Sequence, residues 1–433
     1  MPEFETYRNK FHKAVEIVLQ SISAKSLLAK HKTLITEHPA LADVLNQLQN
    51  SESRLNLIAI GKMAQSLAYE FTSQLGVASV CGLVTSPYDS AAPVVSRLDY
   101  FLGGHPVPND QSLASAQAAL NLVRGLQHDD PVVYLISGGG SACLELPRDP
   151  LELQDVRQIY EVLVKCGASI QEINRVRRRL SLVKGGKLAT ACRSRRQLAL
   201  IVSDVIGDDL QFVSSGPTCF QPDLKSSTDL MAIVEKYGLS NEMPEAALKI
   251  LAETDSDDHR QNKCDSICIG SNDVAVVAAE QFFSGQGWQT RTDRRFDEVS
   301  VAEAARGLVQ SLSELTPSDG PCCIVAGGEV TSKVVGTGQG GRNQAFVLEC
   351  VPLIRDQNIV VMSFGTDGID GNSVAAGAIA DGNTFTRAEK AGMSHEQYAA
   401  DSNSFEFFSR LNDTLEPGPT QTNVCDVRVL LKF

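Results

Sequence analysis

The sequence of 433 residues lacks several features, and each absence excludes a class of protein. No apolar run approaches the roughly 18 residues that a membrane-spanning helix needs, and the polar, acidic first residues do not have the pattern of a secretory signal peptide. The 11 cysteines include no Cys-x-x-Cys pair and no Cys/His metal spacing, and most of them lie inside apolar runs. We therefore expect a cytoplasmic protein with free, buried thiols and no membrane contact, rather than a disulfide-linked or zinc-binding one.

Positive charge is also scarce, because 39 Lys and Arg residues face 52 Asp and Glu residues, for a net charge of −13. This balance argues against nucleic acid as a partner. Residues 175–196 depart from it, since they contain nine basic residues and no acidic one. Such a run is typical of a solvated face, of a local surface that attracts anions, or of a nucleic-acid patch, and the sequence leaves these alternatives open.

What the sequence does contain is a repeated pattern of a short apolar run, a turn with glycine or aspartate, and a longer amphipathic stretch. The apolar runs are continuous rather than alternating, and they occur at residues 55–60, 131–136, 198–202, 267–269, 322–326 and 359–362. Continuous strands separated by helices are typical of parallel sheets covered on both faces. We predict an α/β protein with two Rossmann-like lobes, each built on a mostly parallel sheet covered by helices.

A polar, acidic segment divides the chain in two. Residues 240–263 contain Asp255-Ser-Asp-Asp258 and few large apolar side chains after Leu251. We therefore predict an N-terminal α/β domain at residues 1–240, a connector with some helical structure at 241–263, and a C-terminal α/β domain at 264–433.

Two turns in the N-terminal half have the composition of an anion site. Ser137-Gly-Gly-Gly-Ser141 directly follows a predicted buried strand. Backbone donors at Gly138, Gly139 and Gly140, with the Ser141 hydroxyl, can surround an oxyanion. Lys62 follows another strand and opens a helix, where an anion is favoured; an exposed first-turn lysine is the alternative. The chain has neither a Walker loop nor a spaced Gly-x-Gly-x-x-Gly dinucleotide motif.

Aspartates at strand ends suit a hard cation. Asp204 ends one strand and is followed by Asp208 and Asp209. Mg²⁺ prefers one or two protein carboxylates completed by phosphate oxygens and water, so Asp204 is a predicted metal ligand. Helix capping or turn formation is the alternative for all three, and it fits Asp208 and Asp209 best.

Residues 327–381 combine glycine turns, one arginine and paired aspartates. They contain Gly338-Gln-Gly-Gly-Arg342 and Gly365-Thr-Asp-Gly-Ile-Asp-Gly371. Glycine loops allow phosphates to approach the backbone, arginine can form bidentate hydrogen bonds to a phosphate or carboxylate, and aspartate can bind a cation. These three functions are what phosphoryl transfer requires. Loops can also be rich in glycine for turns alone.

The substrate ligands are harder to predict from local sequence. His105 lies between turn residues, where it can bind a substrate carboxylate or serve as a local hydrogen-bonding residue. Arg177 and Lys184 are seven residues apart, so they share a face if that segment is one helix.

With these motifs in place, the chain resembles the glycerate 2-kinases of the MOFRL-containing family, some of which carry the name hydroxypyruvate reductase. The resemblance covers nearly the whole chain. It rests on ordered motifs that include Ile60-Gly-Lys-Met63, Gly104-His-Pro-Val-Pro108, Ser137-Gly-Gly-Gly-Ser-Ala142, Lys184-Gly-Gly186, Ser215-Gly-Pro-Thr218, Gly327-Gly-Glu-Val-Thr331, Gly340-Gly-Arg-Asn-Gln344 and Gly365-Thr-Asp-Gly-Ile-Asp-Gly371.

The resemblance implies phosphorylation of D-glycerate at the 2-hydroxyl with ATP and Mg²⁺. It also implies a C-terminal MOFRL domain and an active site in a cleft between the lobes. The family's catalytic lysine and arginine fall on Lys62 and Arg342, and its strand-end aspartate on Asp367. Some positions depart from the family pattern: Arg175, Arg179, Ala345 and Val374.

The predicted mechanism assigns a role to each of these groups. Phosphates lie against the glycine loops, and Asp204 or Asp367 holds Mg²⁺. Lys62 and Arg342 stabilise the transferred group. The predicted phosphate and substrate ligands are Gly138, Gly139, Gly140, Ser141, Gly338, Gly340, Gly341, His105, Arg177, Lys184 and Asn343.

Two alternative functions are a hydroxypyruvate reductase and a non-catalytic sensor of a small organic acid. We expect small-molecule partners only, in a monomer or homodimer.

Overall fold

The computed structural model describes residues 2–50, 52–89, 94–220, 227–253, 264–295, 298–315 and 320–433. The helices of this part of the chain are α1 (Pro2–Ser21), α2 (Ala24–Thr36), α3 (Leu45–Gln49), α4 (Ala64–Leu75), α5 (Asp110–Gly125), α6 (Gly140–Cys143), α7 (Leu153–Lys165), α8 (Ile170–Leu180), α9 (Lys187–Ala191), α10 (Ser227–Lys236), α11 (Glu245–Ala252), α12 (Asn272–Ser284), α13 (Val301–Ser313), α14 (Arg342–Leu353), α15 (Thr384–Lys390), α16 (His395–Ala400) and α17 (Ser404–Leu411).

The strands belong to two six-stranded sheets. They are β1 (Leu55–Ile60), β2 (Val80–Ser86), β3 (Leu98–Leu102), β4 (Val132–Ser137), β5 (Gln197–Val202), β6 (Cys264–Gly270), β7 (Gln289–Thr292), β8 (Cys322–Ala326), β9 (Ile359–Gly365), β10 (Gly377–Asp381), β11 (Thr414–Leu415) and β12 (Asp426–Lys432).

The first sheet lies in a compact unit at Leu27–Ile269, which we call the parallel-sheet unit. Its strand order is β3-β2-β1-β4-β5-β6, the order of a doubly wound Rossmann sheet. The pairs β1–β2, β1–β4, β2–β3 and β4–β5 are parallel. Every residue of β1, β4 and β5 is buried, which explains their continuous apolar runs. The α/β class and the parallel sheet are confirmed.

The second sheet lies in a unit made of Met1–Ser26 and Gly270–Phe433, which we call the mixed-sheet unit. Its order is β11-β10-β9-β12-β8-β7. Only β7 and β8 pair in parallel, whereas β12 runs antiparallel to both β8 and β9, and β10 runs antiparallel to β9 and β11. This sheet differs from the predicted parallel arrangement. The cause is that β8 and β9 are buried at every residue, so their continuous apolar runs look like those of parallel strands although β12 pairs antiparallel with both.

The compact units differ from the predicted domains in two segments. Strand β6, placed by prediction in the C-terminal domain, is a hydrogen-bonded neighbour of β5. Helix α1 packs on α12, and Arg8 bonds to Asp381 and Asp413, at 2.6 Å each. Helix α11 lies in the predicted connector, whose residues 254–263 are outside the described part of the chain. No helix that the structure describes is long and apolar enough to cross a membrane.

Candidate active site

Strands β1 and β4 lie side by side where the strand order of the parallel sheet reverses. In open α/β sheets, ligands bind outside the carboxyl ends of the strands at this point. Lys62 follows β1 there, after Gly61 with a φ of 103°. A side chain at Gly61 is impossible, since its Cβ would lie 2.3 Å from the Ser137 carbonyl oxygen. The Lys62 backbone N–H donates to the Gly138 carbonyl at 2.9 Å, which fixes the lysine against the glycine loop.

The glycine loop brings the predicted groups of this unit together. A Cβ at Gly138 would lie 1.9 Å from Asp204 Oδ2. A Cβ at Gly139 would lie 3.1 Å from Lys62 Cγ and 3.2 Å from His105 Cδ2. The glycines are therefore required by the close approach of Lys62, His105 and Asp204. Three separate turns of the sequence converge at this loop.

The second half of the loop is held by hydroxyl groups. Helix α6 begins at Gly140, and the Ser141 hydroxyl lies 2.8 Å from the Ser215 hydroxyl. Ser215 donates in turn to Asn174 Oδ1 at 2.7 Å. Ser214 donates to the Ser137 carbonyl at 2.7 Å. The Ser141 side chain thus stabilises the loop.

Asp204 stands at the carboxyl end of β5. Burial raises the pKa of its carboxyl group to about 6, and the charge of Lys62 opposes that rise. Across the described ranges, no group of three or more His, Cys, Asp and Glu side chains is arranged to hold a metal ion. A single carboxylate still matches Mg²⁺ chemistry, because phosphate oxygens and water supply most of its ligands.

Lys184 is buried inside the parallel-sheet unit. Helix α8 ends at Leu180, so Arg177 and Lys184 do not share a helix face. Lys184 is 1% exposed, and its Nζ donates to Glu145 Oε2 at 2.5 Å. Burial lowers the pKa of Lys184, and the Glu145 carboxylate opposes that effect. The predicted substrate ligand is instead half of a buried ion pair.

The basic run at residues 175–196 has a similar explanation. Arg178 and Arg179 are buried, and they donate to the Gln211 and Ile250 carbonyls. Lys187 donates to the Arg178 and Ser181 carbonyls at 2.6 Å each. Several residues of the run therefore stabilise the interior of the unit through hydrogen bonds to backbone carbonyls. These three basic side chains and Lys184 belong to none of the three alternatives that the sequence left open.

We expect Lys184→Met to destabilise the protein by about 3–5 kcal/mol, because it removes the cation that donates directly to the buried Glu145 carboxylate. The double variant Lys184→Met/Glu145→Leu should recover most of that loss. Urea unfolding measures both. Lys165→Met is the matched control, since Lys165 pairs with Glu161 on the exposed surface, and it should change the free energy of unfolding by less than about 1 kcal/mol. Wild-type stability with a raised KM for substrate would restore Lys184 as a substrate ligand.

In the mixed-sheet unit, Arg342 opens helix α14 and is clamped by two carboxylates. Its Nε and Nη2 donate to the two oxygens of Asp426 at 2.6 and 3.0 Å, and Nη2 also donates to Glu329 at 2.6 Å. Burial opposes the charge, but Asp426 and Glu329 raise the pKa of Arg342 above its usual value. The clamp holds one edge of the guanidinium, and Nη1 makes no hydrogen bond to the described residues.

The start of α14 is capped by a buried aspartate. Asp370 is 2% exposed and accepts hydrogen bonds from the backbone N–H groups of Asn343 and Gln344 at 3.1 and 2.8 Å. The Asn343 amide donates to Asp370 and Asp426, and it accepts from Ser363 at 2.5 Å. Asn343, a predicted substrate ligand, is thus engaged inside the protein.

The second predicted phosphate loop is also engaged. The N–H of Gly338 donates to the Asp401 carbonyl at 3.0 Å, and that of Gly340 donates to Asn372 Oδ1 at 2.8 Å. A Cβ at Gly341 would lie 2.3 Å from Asp370 Oδ1. Gly341 therefore allows close packing against Asp370, whereas Gly338 packs against Asn403 and Gly340 against Ser404. A phosphate would have to displace the present partners of Gly338 and Gly340.

Asp367 follows β9 and is half-buried. A Cβ at Gly365 would lie 3.3 Å from Asp367 Oδ1 and 3.4 Å from Asn343 Nδ2. Asn343 donates a hydrogen bond to Asp426, which also accepts from Arg342. Asp367 therefore lies beside the residues that bind the Arg342 guanidinium.

Sequence reasoning missed the partners of these basic groups. Glu329 lies in the motif Gly327-Gly-Glu-Val-Thr331 and Asp370 in Gly365-Thr-Asp-Gly-Ile-Asp-Gly371, but no local feature identifies Glu329 as a partner of Arg342 or Asp370 as the cap of a helix. Asp426 opens an apolar strand, which is an unusual position for a carboxylate with no partner. This position of Asp426 is the feature of the sequence that could have identified it as a residue with a charged partner.

Known proteins resemble the chain over nearly its whole length. The chain matches "Domain of unknown function (DUF4147)" at residues 7–252 and "MOFRL family" at residues 322–426. It is 33% identical over 420 residues to D-glycerate 2-kinase of Thermotoga maritima, with 96% of each chain covered. It is 32% identical over 391 residues to glycerate 2-kinase of Pyrococcus horikoshii, with 88% of each covered. The crystal structure of a Thermotoga maritima glycerate kinase matches with a TM-score of 0.84 at 28% identity, covering 99% of this chain and 100% of that one.

Proposed function

Since the chain belongs to the glycerate 2-kinase family that combines a DUF4147 domain with a MOFRL domain, we propose that it transfers the γ-phosphoryl group of ATP to the 2-hydroxyl of D-glycerate. The bond between the γ-phosphorus and the ADP oxygen breaks as the new O–P bond forms, and the hydroxyl proton is released. The products are 2-phosphoglycerate and ADP.

The observation that carries the proposal is the convergence at the glycine loop of the parallel-sheet unit. Lys62, His105 and Asp204 all approach Gly138 and Gly139 at the switch point of the sheet. Phosphoryl transfer depends on positioning and charge neutralisation more than on covalent chemistry by the protein. A lysine, a strand-end carboxylate and a glycine loop supply those two functions.

Lys62 is the proposed group that offsets negative charge on the transferred phosphoryl group. Asp204 is the proposed Mg²⁺ ligand, and bound Mg²⁺ would supply charge neutralisation at the phosphates of ATP. His105, which is exposed beside the loop, is proposed to contact the substrate.

In the mixed-sheet unit, Arg342 and Asp367 keep their proposed catalytic roles. The clamp by Asp426 and Glu329 fixes the direction of the Arg342 guanidinium, and such preorganised donors are effective in stabilising developing charge. Asp367 is proposed as a metal ligand or as the acceptor of the hydroxyl proton. A cytoplasmic location and a monomer or homodimer stay predictions.

A coupled ADP-release assay tests the activity. Purified protein is mixed with ATP, Mg²⁺ and a panel of small hydroxy acids, and phosphorus NMR identifies the phosphorylated hydroxyl. We expect ADP release with D-glycerate, 2-phosphoglycerate as product, and loss of turnover when EDTA removes Mg²⁺. NADH oxidation by hydroxypyruvate without ADP release would instead identify a reductase. Glycerate binding in calorimetry without turnover would identify a sensor.

A further inference from the structure

A buried cluster beside the glycine loop carries more positive than negative charge. Lys184 donates to Glu145 Oε2 at 2.5 Å, and the Tyr160 hydroxyl donates to the same oxygen at 2.7 Å. Arg177 adds a second cation, whose charge disfavours protonation of Lys184. Two cations against one carboxylate leave a surplus of one positive charge. Arg177 is half-buried, and a charge that is partly withdrawn from water favours binding of an anion.

Tyr160 connects Arg177 to this cluster. The Arg177 guanidinium carbon lies 3.9 Å from the centroid of the Tyr160 ring, a stacked cation–π geometry. Tyr160 is 4% exposed and held at its hydroxyl by Glu145, so the ring is a rigid platform. The Tyr160 hydroxyl also lies 3.4 Å from the Ser141 carbonyl, which places the platform next to the glycine loop.

The donors of Arg177 are not used within the described part of the chain. Its Nε is buried without a hydrogen-bond partner, and Arg177 makes no ion pair there. The N–H groups of a stacked guanidinium point outward in the plane of the group. Two of them can therefore donate to the two oxygens of one carboxylate. Arg178 and Arg179, its neighbours in sequence, are instead bound to backbone carbonyls.

We infer that Tyr160, held by Glu145, is a positioning residue that orients Arg177 to bind the carboxylate of the hydroxy-acid substrate. This inference rests on the proposed function, because it assigns the carboxylate specificity of that reaction. One carboxylate matches the single surplus charge of the cluster. The polyphosphate of ATP carries several negative charges, and the proposed mechanism places it against Lys62 and Mg²⁺.

Steady-state kinetics of four variants test the inference. We expect Arg177→Gln to raise the KM for D-glycerate on the order of 10²-fold, with the KM for ATP changed less than about twofold. Tyr160→Leu removes the platform and should raise the glycerate KM about 5–20-fold at nearly constant kcat. Tyr160→Phe keeps the ring and should stay within about threefold of wild type. Arg175→Gln is the matched control, because it removes a half-exposed charge from the same helix.

A raised KM for ATP with an unchanged glycerate KM in Arg177→Gln would overturn the inference and assign Arg177 to phosphate. Equal effects of Tyr160→Phe and Tyr160→Leu would exclude the ring as a platform. If the wild-type protein phosphorylates no hydroxy acid, the proposed function fails, and calorimetry with D-glycerate then tests the carboxylate site directly. Binding by wild type and Arg175→Gln but not by Arg177→Gln would support it, whereas equal binding by all three would overturn it.

Discussion

Lys62→Ala should lower kcat for glycerate phosphorylation on the order of 10²–10³-fold, with the fold intact. The backbone of Lys62 is fixed between the Gly61 turn and the Gly138 carbonyl, so its side chain is presented to the glycine loop. Alanine keeps this backbone and removes only the charge that offsets the transferred phosphoryl group. The coupled assay measures kcat, and circular dichroism and thermal unfolding establish that the variant is folded.

Lys165→Ala is the control for Lys62→Ala, because Lys165 is an exposed lysine of the same unit and pairs only with Glu161. We expect this control to keep wild-type kcat. A folded Lys62→Ala protein with near-normal kcat would remove Lys62 from the mechanism. It would leave Asp204 and the glycine loop as the remaining proposed groups of this unit.

Arg342→Ala should lose activity on the order of 10²–10³-fold and should also lose stability. Asp426 is 0% exposed and would lose its bidentate partner. Because the Arg342 side chain is 34% exposed, water can enter, and we expect a cost of about 1–3 kcal/mol rather than the full penalty of a buried pair. Kinetics and urea unfolding together measure both effects.

Arg342→Lys separates catalysis from stability. Lysine keeps a positive charge near Asp426 but lacks the planar fork that bonds to Asp426 and Glu329. We expect kcat to stay low while most of the stability returns. Arg355→Ala removes surface ion pairs with Asp356 and Glu389 and a cation–π contact with Phe385. It should leave kcat unchanged and change the free energy of unfolding by about 1 kcal/mol or less. Full activity in Arg342→Lys would exclude a geometric role for the guanidinium.

The three central strands of the parallel-sheet unit, β1, β4 and β5, could be predicted from the sequence. Each of these strands is a continuous apolar run, and each is followed by the turn that carries a functional group. Parallel strands place all these turns at one edge of the sheet, so strand order alone brings Lys62, the glycine loop and Asp204 together. In this unit, the positions of the functional groups follow from the local sequence pattern and the parallel direction of the strands.

Other parts could not be predicted, because they depend on long-range pairing. Lys184 has no local mark that distinguishes a substrate ligand from the partner of Glu145. The N–H groups of residues 338–341 look available in the sequence, and only the fold brings Asn372 and Asp401 to them. Strands β8 and β9 have the apolar runs of parallel strands, but β12 pairs antiparallel with both. In each case the deciding contact spans tens of residues.

The position of β12 also determines when the mixed sheet can form during synthesis. It lies between β9 and β8 in the sheet, yet the ribosome produces it after every other strand of that sheet. Until then, β8 and β9 present unpaired inner edges, which are templates for pairing with other chains. A nascent or truncated chain without residues 426–432 is therefore prone to aggregation, and chaperone binding should be strongest just before this strand emerges.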